Sequence, residues 1–152
     1  MANFSVYLGA VGWKHAQWEN DLYPGDLPED WQLAFYNSQF RCVYLPCSMW
    51  QEASDAEVSS WLQETREGFH FVLQMPKKPD GETLRRAKRF GERGVPEGQV
   101  DIEWLEGVAD LRGLAKRLQK AANEGAPLFL ISRDGMLAQL RQVSELMEVL
   151  KV

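Results

Sequence analysis

Pro127-Leu-Phe-Leu-Ile131 is the clearest indication of the fold class in this sequence. It is apolar at every position, which is typical of a strand that is buried on both faces of a parallel sheet. Three other runs with strand character come before it, and a helical pattern follows each strand. The four predicted strands are residues 4–8, 41–45, 69–73 and 127–131. Strands that alternate with helices predict an α/β fold with a parallel sheet and helical crossovers.

The predicted helices follow these strands and carry recognisable end signals. Pro28 suits a first helical turn, with Asp26 before it as the expected cap. Ser54-Asp-Ala-Glu57 is a capping box. Gly125 stands where a helix can end in a left-handed residue. The helices are expected at residues 28–38, 54–65, 106–123 and 135–150.

The element order predicts one α/β domain over residues 1–152, with about four strand–helix units. Such a parallel (βα)-repeat sheet resembles either half of a TIM barrel or an open doubly wound sheet. Residues 77–104 interrupt the alternation, with a basic helix expected at 80–92 and a loop at 93–104. We therefore interpret residues 77–104 as an insertion-like segment within a single domain.

Composition excludes several classes of protein. The 152 residues are 45% hydrophobic and 26% charged, as in ordinary globular chains rather than disordered ones. No apolar run is long enough for a transmembrane helix and the first residues lack a secretory signal, so we expect a cytoplasmic protein without membrane contact. Cys42 and Cys47 have no zinc-site spacing, so we expect reduced thiols and no metal. No G-x-G-x-x-G motif is present, and we expect no cofactor.

Charge is distributed unevenly along the chain. Residues 1–76 contain three Lys or Arg and ten Asp or Glu, whereas residues 77–93, the basic segment, contain seven and three. The net charge of −5 disfavours general nucleic-acid binding, which needs a coherent positive field. On a helix, Arg85, Lys88 and Arg89 would share a face that can hold phosphate. The alternative is a solvated face, or ion pairs with the acidic first half. The candidate acidic partners are Asp21, Asp26, Glu29 and Asp30.

Three motifs in the first half share a distinctive spacing of glycine and aromatic residues. They read Leu8-Gly-Ala-Val-Gly-Trp-Lys-His-Ala-Gln-Trp18, then Leu22-Tyr-Pro24, and Phe69-His-Phe-Val-Leu-Gln-Met-Pro76. These stretches are similar to I-G-T-S-G-W-x-Y-x-x-W, F-Y-P and F-R-F-x-x-K-x-P of the YecE-like proteins, also called the DUF72 family. Residues 31–50 resemble the aromatic helix and second strand of that family. The resemblance covers about residues 5–78 and implies a TIM-barrel-like fold in a mostly uncharacterised family.

Departures from the family pattern imply a loss of acid–base chemistry. The family's strand-two Glu aligns with Tyr44, its Asn with Pro46, and its strand-three Lys with Gln74, while Ala10 and Val11 replace Thr and Ser. Active groups of a barrel gather at the carboxyl ends of its strands. Neither a phenol nor an amide is an effective acid or base near neutral pH. Family members are long enough for eight strands, so the resemblance implies a shortened, degenerate relative.

The candidate ligand-binding residues lie at or near the expected strand ends. They are Gly9, Gly12, Trp13, His15, Trp18, Tyr44, His70 and Gln74. His15 is the candidate catalytic residue, because it follows the first strand and histidine can act as a general base; the alternative is an exposed loop histidine. His70 alternates with two phenylalanines, and its alternative is a partly buried, hydrogen-bonded side chain. The tryptophans can stack on bases or sugars, or anchor the core.

These residues favour a non-catalytic binding or assembly protein derived from a YecE-like barrel, with an unidentified small-molecule ligand as one possibility. One alternative is an enzyme that acts on a phosphate-containing or nucleic-acid substrate through His15, Gln74 and the basic segment. Another is a nucleic-acid-binding module built on residues 77–93. Nucleic acid is the less favoured partner, because the chain as a whole is acidic.

A homodimer is the expected assembly. Four parallel strands would leave an apolar inner face, and large apolar patches rarely stay exposed on monomers. A second copy can cover that face, since two-fold dimers are the commonest oligomers. The alternative is that residues 77–104 fold back over the sheet. The apolar residues available for this are Val95, Val100, Ile102, Trp104 and Leu105.

Overall fold

The computed structural model describes residues 5–152 and contains one sheet with helices on one side of it. The strands are β1 (Val6–Val11), β2 (Cys42–Leu45), β3 (His70–Leu73), β4 (Gly94–Pro96), β5 (Asp101–Leu105) and β6 (Leu128–Ser132). The helices are α1 (Gln32–Gln39), α2 (Cys47–Glu52), α3 (Asp55–Glu64), α4 (Gly81–Ala87), α5 (Leu111–Glu124) and α6 (Leu137–Leu150). The strand order is β4-β3-β2-β1-β6-β5, and every pairing is parallel.

This strand order is that of a barrel opened at one place. The first strand, β1, pairs with both β2 and the last strand, β6. In a closed (βα) barrel the first and last strands are also neighbours. The order is therefore cyclic, with its break between β4 and β5. The predicted α/β fold, a parallel sheet that resembles half of a TIM barrel, is confirmed.

The number of strands differs from the prediction. The sequence analysis assigned residues 93–104 to a loop, whereas they contain β4 and β5, so the sheet has six strands instead of about four. β4 is three residues long and includes a glycine and a proline, and β5 alternates acidic and apolar residues. Neither strand presents an apolar run, because each is an edge strand. The segment read as an insertion therefore supplies both edges of the sheet.

Helix ends are partly as predicted. The capping box is confirmed: Glu57 N donates to Ser54 Oγ at 3.1 Å, and Ser54 N donates to Glu57 Oε1 at 3.2 Å. Gly125 ends α5 with a φ of 70°, as expected. The prediction of an Asp26 cap was wrong, because a 3-10 turn at Glu29–Trp31 precedes α1 and has no side-chain cap. The basic helix is also shorter, since a 3-10 segment at Lys88–Arg93 follows α4.

The sheet has an apolar core on each face. The outer core packs the sheet against the helices through residues such as Leu8, Val43 and Phe71. The inner core is formed by the alternate strand residues Cys42, Tyr44, Val72, Phe129 and Ile131, with Tyr7, Val11, Val95, Val100, Ile102 and Trp104 packed against them. The inner face is thus covered by the chain's own edge strands, which is the alternative to a dimer that the sequence analysis named. Of the five apolar residues named for that role, Leu105 belongs to the outer core instead. A second copy of the chain on this face stays a prediction.

Tyr36 of α1 joins the helix layer to the sheet. Its side chain is fully buried, and its hydroxyl donates to Cys42 O at 2.7 Å and accepts from Ala10 N at 2.8 Å. Next to these two hydrogen bonds the backbones of β1 and β2 approach closely, since a Cβ on Gly9 would lie 2.0 Å from Cys42 O. The hydroxyl therefore binds two neighbouring strands at the point where glycine lets them meet.

Replacement of Tyr36 by phenylalanine should destabilise the fold. It leaves the buried Ala10 N–H without its acceptor, and such a group costs about 1–3 kcal/mol. We expect Tyr36→Phe to lower the free energy of unfolding by about 2 kcal/mol in urea titrations followed by tryptophan fluorescence. Tyr7→Phe is the control, because no hydrogen bond of the Tyr7 hydroxyl is found among residues 5–152. Equal losses for the two variants would contradict this role.

Candidate functional site

A group of polar and aromatic side chains meets at the carboxyl ends of the strands, the face on which barrel enzymes carry their active sites. The Tyr44 hydroxyl donates to Glu97 Oε2 at 2.7 Å, and its ring meets the edge of Trp104 at 4.9 Å. The Arg133 guanidinium lies 4.0 Å above the Trp104 ring and is paired with Glu106. We call these five residues the strand-end cluster. Each polar member already has a partner within the cluster.

Tyr44 acts in this cluster as a hydrogen-bond donor. Burial raises the pKa of its hydroxyl well above the usual range, and the Glu97 carboxylate that accepts its hydrogen bond acts in the same direction. Arg133 acts in the opposite direction with a smaller effect. The phenol therefore stays protonated at neutral pH. This agrees with the expectation that Tyr44 does not replace the carboxylate of the family pattern.

Gln74 accepts hydrogen bonds from residues at the start of α2. Its Oε1 accepts from Cys47 N at 2.9 Å, and its backbone oxygen accepts from Cys47 Sγ and from Trp50 Nε1, both at 2.9 Å. Burial raises the pKa of the Cys47 thiol, which keeps the sulfur protonated as a donor. The Gln74 side chain thus satisfies the Cys47 N–H, one of the free backbone groups at the start of α2.

His15 is held by the loop that follows β6. Its Nε2 lies 2.7 Å from Val11 O, its ring is 4.2 Å from that of Trp18, and a Cβ on Gly135 would lie 2.6 Å from its Nδ1. Burial lowers the pKa of His15, while the Val11 carbonyl and the Asp134 carboxylate act in the opposite direction. The structure thus brings His15 close to Asp134, a carboxylate that the sequence spacing did not reveal.

His70 lies at the other end of the sheet. It is the first residue of β3, while Gln74 follows the last, and its ring packs against those of Tyr7 at 4.6 Å and Phe129 at 5.9 Å. Its Nδ1 is buried without a hydrogen-bond partner. Burial lowers the pKa of His70, the Gly68 backbone acts in the opposite direction, and the nearby cations of Arg41 and Arg93 lower the pKa with smaller effects. The structure therefore does not bring His70 together with His15, Tyr44 and Gln74.

The glycines and tryptophans of the first motif have structural contacts. Gly12 has a φ of 67°, and its N–H donates to Tyr44 O at 2.9 Å as β1 ends. The Trp13 and Trp18 side chains are 5% and 0% exposed. Trp18 Nε1 donates to Gly135 O at 2.7 Å, which joins the loop after β1 to the loop after β6. These contacts favour the core-anchor interpretation of both tryptophans.

Arginines of the basic segment stabilise the ends of two helices. The Arg89 side chain is only 12% exposed and donates to Trp50 O at 2.8 Å, to Ala53 O at 2.7 Å and to the Asp55 carboxylate at 3.1 Å. Arg93 donates in the same way to Leu62 O at 2.7 Å. The last carbonyls of a helix have no partner within the helix, and a cation stabilises that end. Arg89 and Arg93 thus complete α2 and α3.

Part of the exposed basic segment is engaged in local ion pairs, whereas Lys77, Lys78 and Lys88 are exposed and have no ion pair among residues 5–152. Glu82 accepts from Arg85 at 2.7 Å and from Arg86 at 2.8 Å, and these two hydrogen bonds lower its pKa to about 2. Glu29, one of the partners expected in the acidic first half, pairs instead with Lys14 at 2.7 Å. The acidic first half does supply an ion pair to the basic segment through Asp55, which pairs with Arg89. Arg85 and Arg89 therefore have different surroundings, and they do not form one free phosphate-binding face.

No group of three His, Cys, Asp or Glu side chains within residues 5–152 is arranged to hold a metal ion. None of the helices in the part of the chain that the structure describes is long and apolar enough to cross a membrane.

Comparison with known proteins identifies the family. The sequence profile described as "Protein of unknown function DUF72" matches residues 7–148. The chain belongs to the DUF72 family. The DUF72 match extends well beyond residue 78, where the resemblance drawn from the motifs ended, so that limit was too short. No curated protein matches this DUF72 chain.

One solved structure similar to this chain is the crystal structure of a DUF72 family protein from Thermotoga maritima. The two sequences are 19% identical and superpose with a TM-score of 0.48, over 85% of this chain and 56% of the other. This DUF72 chain therefore spans little more than half the length of that relative.

The sequence analysis did not assign four members of the strand-end cluster to a site: Glu97, Trp104, Glu106 and Arg133. Glu97 and Trp104 lie in the region read as a loop, where no pattern marked them. Arg133 directly follows β6. This position could have identified Arg133 as a site residue, since residues that follow parallel strands gather at the same end of the sheet.

Arg89 and Arg85 should differ sharply in their contributions to stability. Arg89→Gln removes a nearly buried cation from two helix-end carbonyls, and hydrogen bonds to charged groups contribute about 1.5–3 kcal/mol. We expect it to lower the free energy of unfolding by about 2 kcal/mol. Arg85→Gln, the control, removes a solvent-exposed ion pair and should lower the free energy of unfolding much less. Urea unfolding of both variants tests this, and similar losses would contradict it.

Stability should fall on mild acidification. The folded pKa of both His15 and His70 lies below 6.5, so the unfolded chain takes up protons first as pH falls. Stability present above pH 6.5 is therefore lost as pH decreases through that value. We expect a lower free energy of unfolding at about pH 5.5 than at about pH 7.5. His15→Asn with His70→Gln should reduce this difference, and an unchanged difference would contradict the role of the histidines.

Proposed function

We propose that this DUF72 protein is a non-catalytic binding protein. The observation that carries the proposal is the mutual pairing of the polar groups at the strand ends. The Tyr44 hydroxyl is bonded to Glu97, and the Gln74 amide to the start of α2. A catalytic site needs an acid or base that is free to reach a substrate. Here those groups are used to hold the loops of the same face together.

The remaining titratable groups on this face support the same conclusion. His15 Nε2 is bonded to the Val11 carbonyl, and burial lowers the pKa of this histidine. The Arg133 guanidinium is stacked on Trp104 and paired with Glu106. The site that the sequence analysis placed at the strand ends is therefore poorly suited to proton transfer.

The two alternatives have less support. An enzyme for phosphate-containing substrates, or a nucleic-acid-binding module on residues 77–93, needs cations that are free to contact phosphate. Four of the seven cations are engaged within the protein, since Arg89 and Arg93 bind helix-end carbonyls, and Arg85 and Arg86 share Glu82. Only Lys77, Lys78 and Lys88 are without an ion pair among residues 5–152. The proposal therefore does not give the basic segment a role in ligand binding.

Turnover assays test this proposal. Purified protein should hydrolyse chromogenic phosphomonoesters, phosphodiesters, glycosides and esters no faster than matched variants. The variants are Glu97→Gln and His15→Asn at the strand ends, with Asp101→Asn as the control at an exposed edge position. Turnover that is lost in Glu97→Gln or His15→Asn and kept in Asp101→Asn would overturn the proposal.

A further inference from the structure

One edge of the sheet is left open along β5. This strand pairs with β6 on one side, and on its other side it pairs with no strand within residues 5–152. Ile102, Glu103 and Trp104 are each partly exposed, whereas every residue of β6 is buried. An open edge presents unpaired backbone groups on which another strand can form.

The hydrogen bonds of β5 show which backbone groups face the open edge. Leu105 O accepts from Arg133 N at 3.0 Å, so the backbone of Leu105 is directed toward β6. Alternate residues of a parallel strand bond to the same neighbour. The N–H and C=O groups of Ile102 and Trp104 therefore face the open edge. No turn or loop within residues 5–152 bonds to them.

The edge at the other end of the sheet is less suited to pairing. β4 is only three residues long, and its Pro96 has no N–H to donate. The Gly94 N–H is already used, since it donates to Gly91 O. A strand that adds to this sheet therefore finds its hydrogen-bonding groups on β5.

A second copy of β5 matches this edge. In an antiparallel pair, residues that face each other exchange both of their backbone hydrogen bonds. The register that places Ile102 of one copy opposite Trp104 of the other uses every free group of both strands. It also makes a cross-strand pair of a β-branched and an aromatic residue, which is stabilising. This register is symmetric about Glu103, as an interface with a two-fold axis requires.

The charges beside β5 complement each other across such an axis. Two Glu103 carboxylates would lie opposite each other, which is destabilising unless a cation is shared between them. Arg117 of α5 supplies that cation: its Nε lies 3.8 Å from Glu103 Oε2, and its buried Nη1 has no hydrogen-bond partner within residues 5–152. One carboxylate at this distance leaves the guanidinium incompletely satisfied. Two Arg117 and two Glu103 side chains would together form a neutral group.

The two ends of β5 also fit each other. Val108 follows the carboxyl end of the strand and is 87% exposed. A cleft of about 290 Å³ lies at the amino end, where Gly98, Val100 and Pro127 are among its lining residues. The carboxyl end of one antiparallel strand meets the amino end of the other. Each Val108 is thereby brought to the cleft of the second copy, which adds an apolar contact at both ends of the interface.

We propose that the open edge of β5 is the docking surface for a second copy of this chain, which adds antiparallel and joins the two sheets into one. The homodimer expected from the sequence would thus form at the edge of the sheet and not on its inner face. An extended peptide of another protein is the competing occupant. A second copy is favoured over it, because the same patch carries both members of each complementary pair, Glu103 with Arg117 and Val108 with the cleft. The inference does not depend on the proposed function.

Sedimentation equilibrium between about 1 and 100 μM protein tests the dimer. We expect a mass that rises with concentration from 17.4 kDa toward twice that value. Val108→Asp should raise the Kd at least about tenfold, because it places a carboxylate in the apolar contact. Val149→Asp is the control, since it makes the same change on α6 at a position that is 77% exposed, and it should leave the Kd unchanged.

The charge pair is tested by a rescue experiment. Arg117→Gln leaves two carboxylates opposed at the axis and should weaken the dimer, whereas Arg117→Gln combined with Glu103→Gln should restore it. Urea unfolding checks that both variants fold. Weakening of the dimer that Glu103→Gln does not reverse would contradict the neutral group at the axis.

The register is tested by cross-linking. Opposed residues that are not hydrogen-bonded have their Cβ atoms about 4.5–5.5 Å apart, so Glu103→Cys should give a disulfide-linked dimer on mild oxidation. Glu145→Cys, at an exposed position of α6, should not. A monomer at every concentration, or a dimer that Val108→Asp leaves unchanged and Glu103→Cys does not cross-link, would overturn the inference. Either result would leave the proposed non-catalytic role standing, because that role is tested by turnover alone.

Discussion

The short connection between β4 and β5 is the constraint on which the rest of the structure depends. β4 ends at Pro96 and β5 begins at Asp101, and five peptide steps reach at most about 18 Å. These strands are the opposite edges of a six-stranded sheet, and five interstrand spacings would separate them by about 24 Å if the sheet were flat. The chain can make this connection only if the sheet curls. Curling brings Val95 and Trp104, from the two edges, into one inner core.

The curling of the sheet also determines which side chains meet at the carboxyl ends of the strands. The connection begins with Glu97, whose carboxylate accepts from the Tyr44 hydroxyl, and β5 places Trp104 against the same tyrosine. The space in which a wider barrel holds its active site is therefore filled by the chain's own side chains. This arrangement is why we propose that the strand ends do not carry out catalysis.

The uneven charge along the chain has a structural explanation on the basic side. Arg89 and Arg93 bind the carbonyl ends of α2 and α3, both of which belong to the acidic first half. A cation is stabilising at a helix C-terminus, and it is more so when it is nearly buried, as Arg89 is. The carboxylates of the acidic first half are only partly neutralised by these arginines. Carboxylates such as those of Asp30 and Glu64 have no ion pair among residues 5–152.

The sequence by itself determined the features that depend on neighbouring residues. The apolar run at 127–131 indicated a buried parallel strand, Ser54 and Glu57 indicated a helix start, and the glycine–aromatic motifs indicated the DUF72 family. Only the tertiary structure decided the edge strands, because an edge needs no apolar run and β4 is three residues long. The tertiary structure also decided the partners of Tyr44 and Arg89, which lie 53 and 34–39 residues away in the chain. Contacts at such separations leave no local pattern, since they exist only once the sheet has curled and the helices have packed.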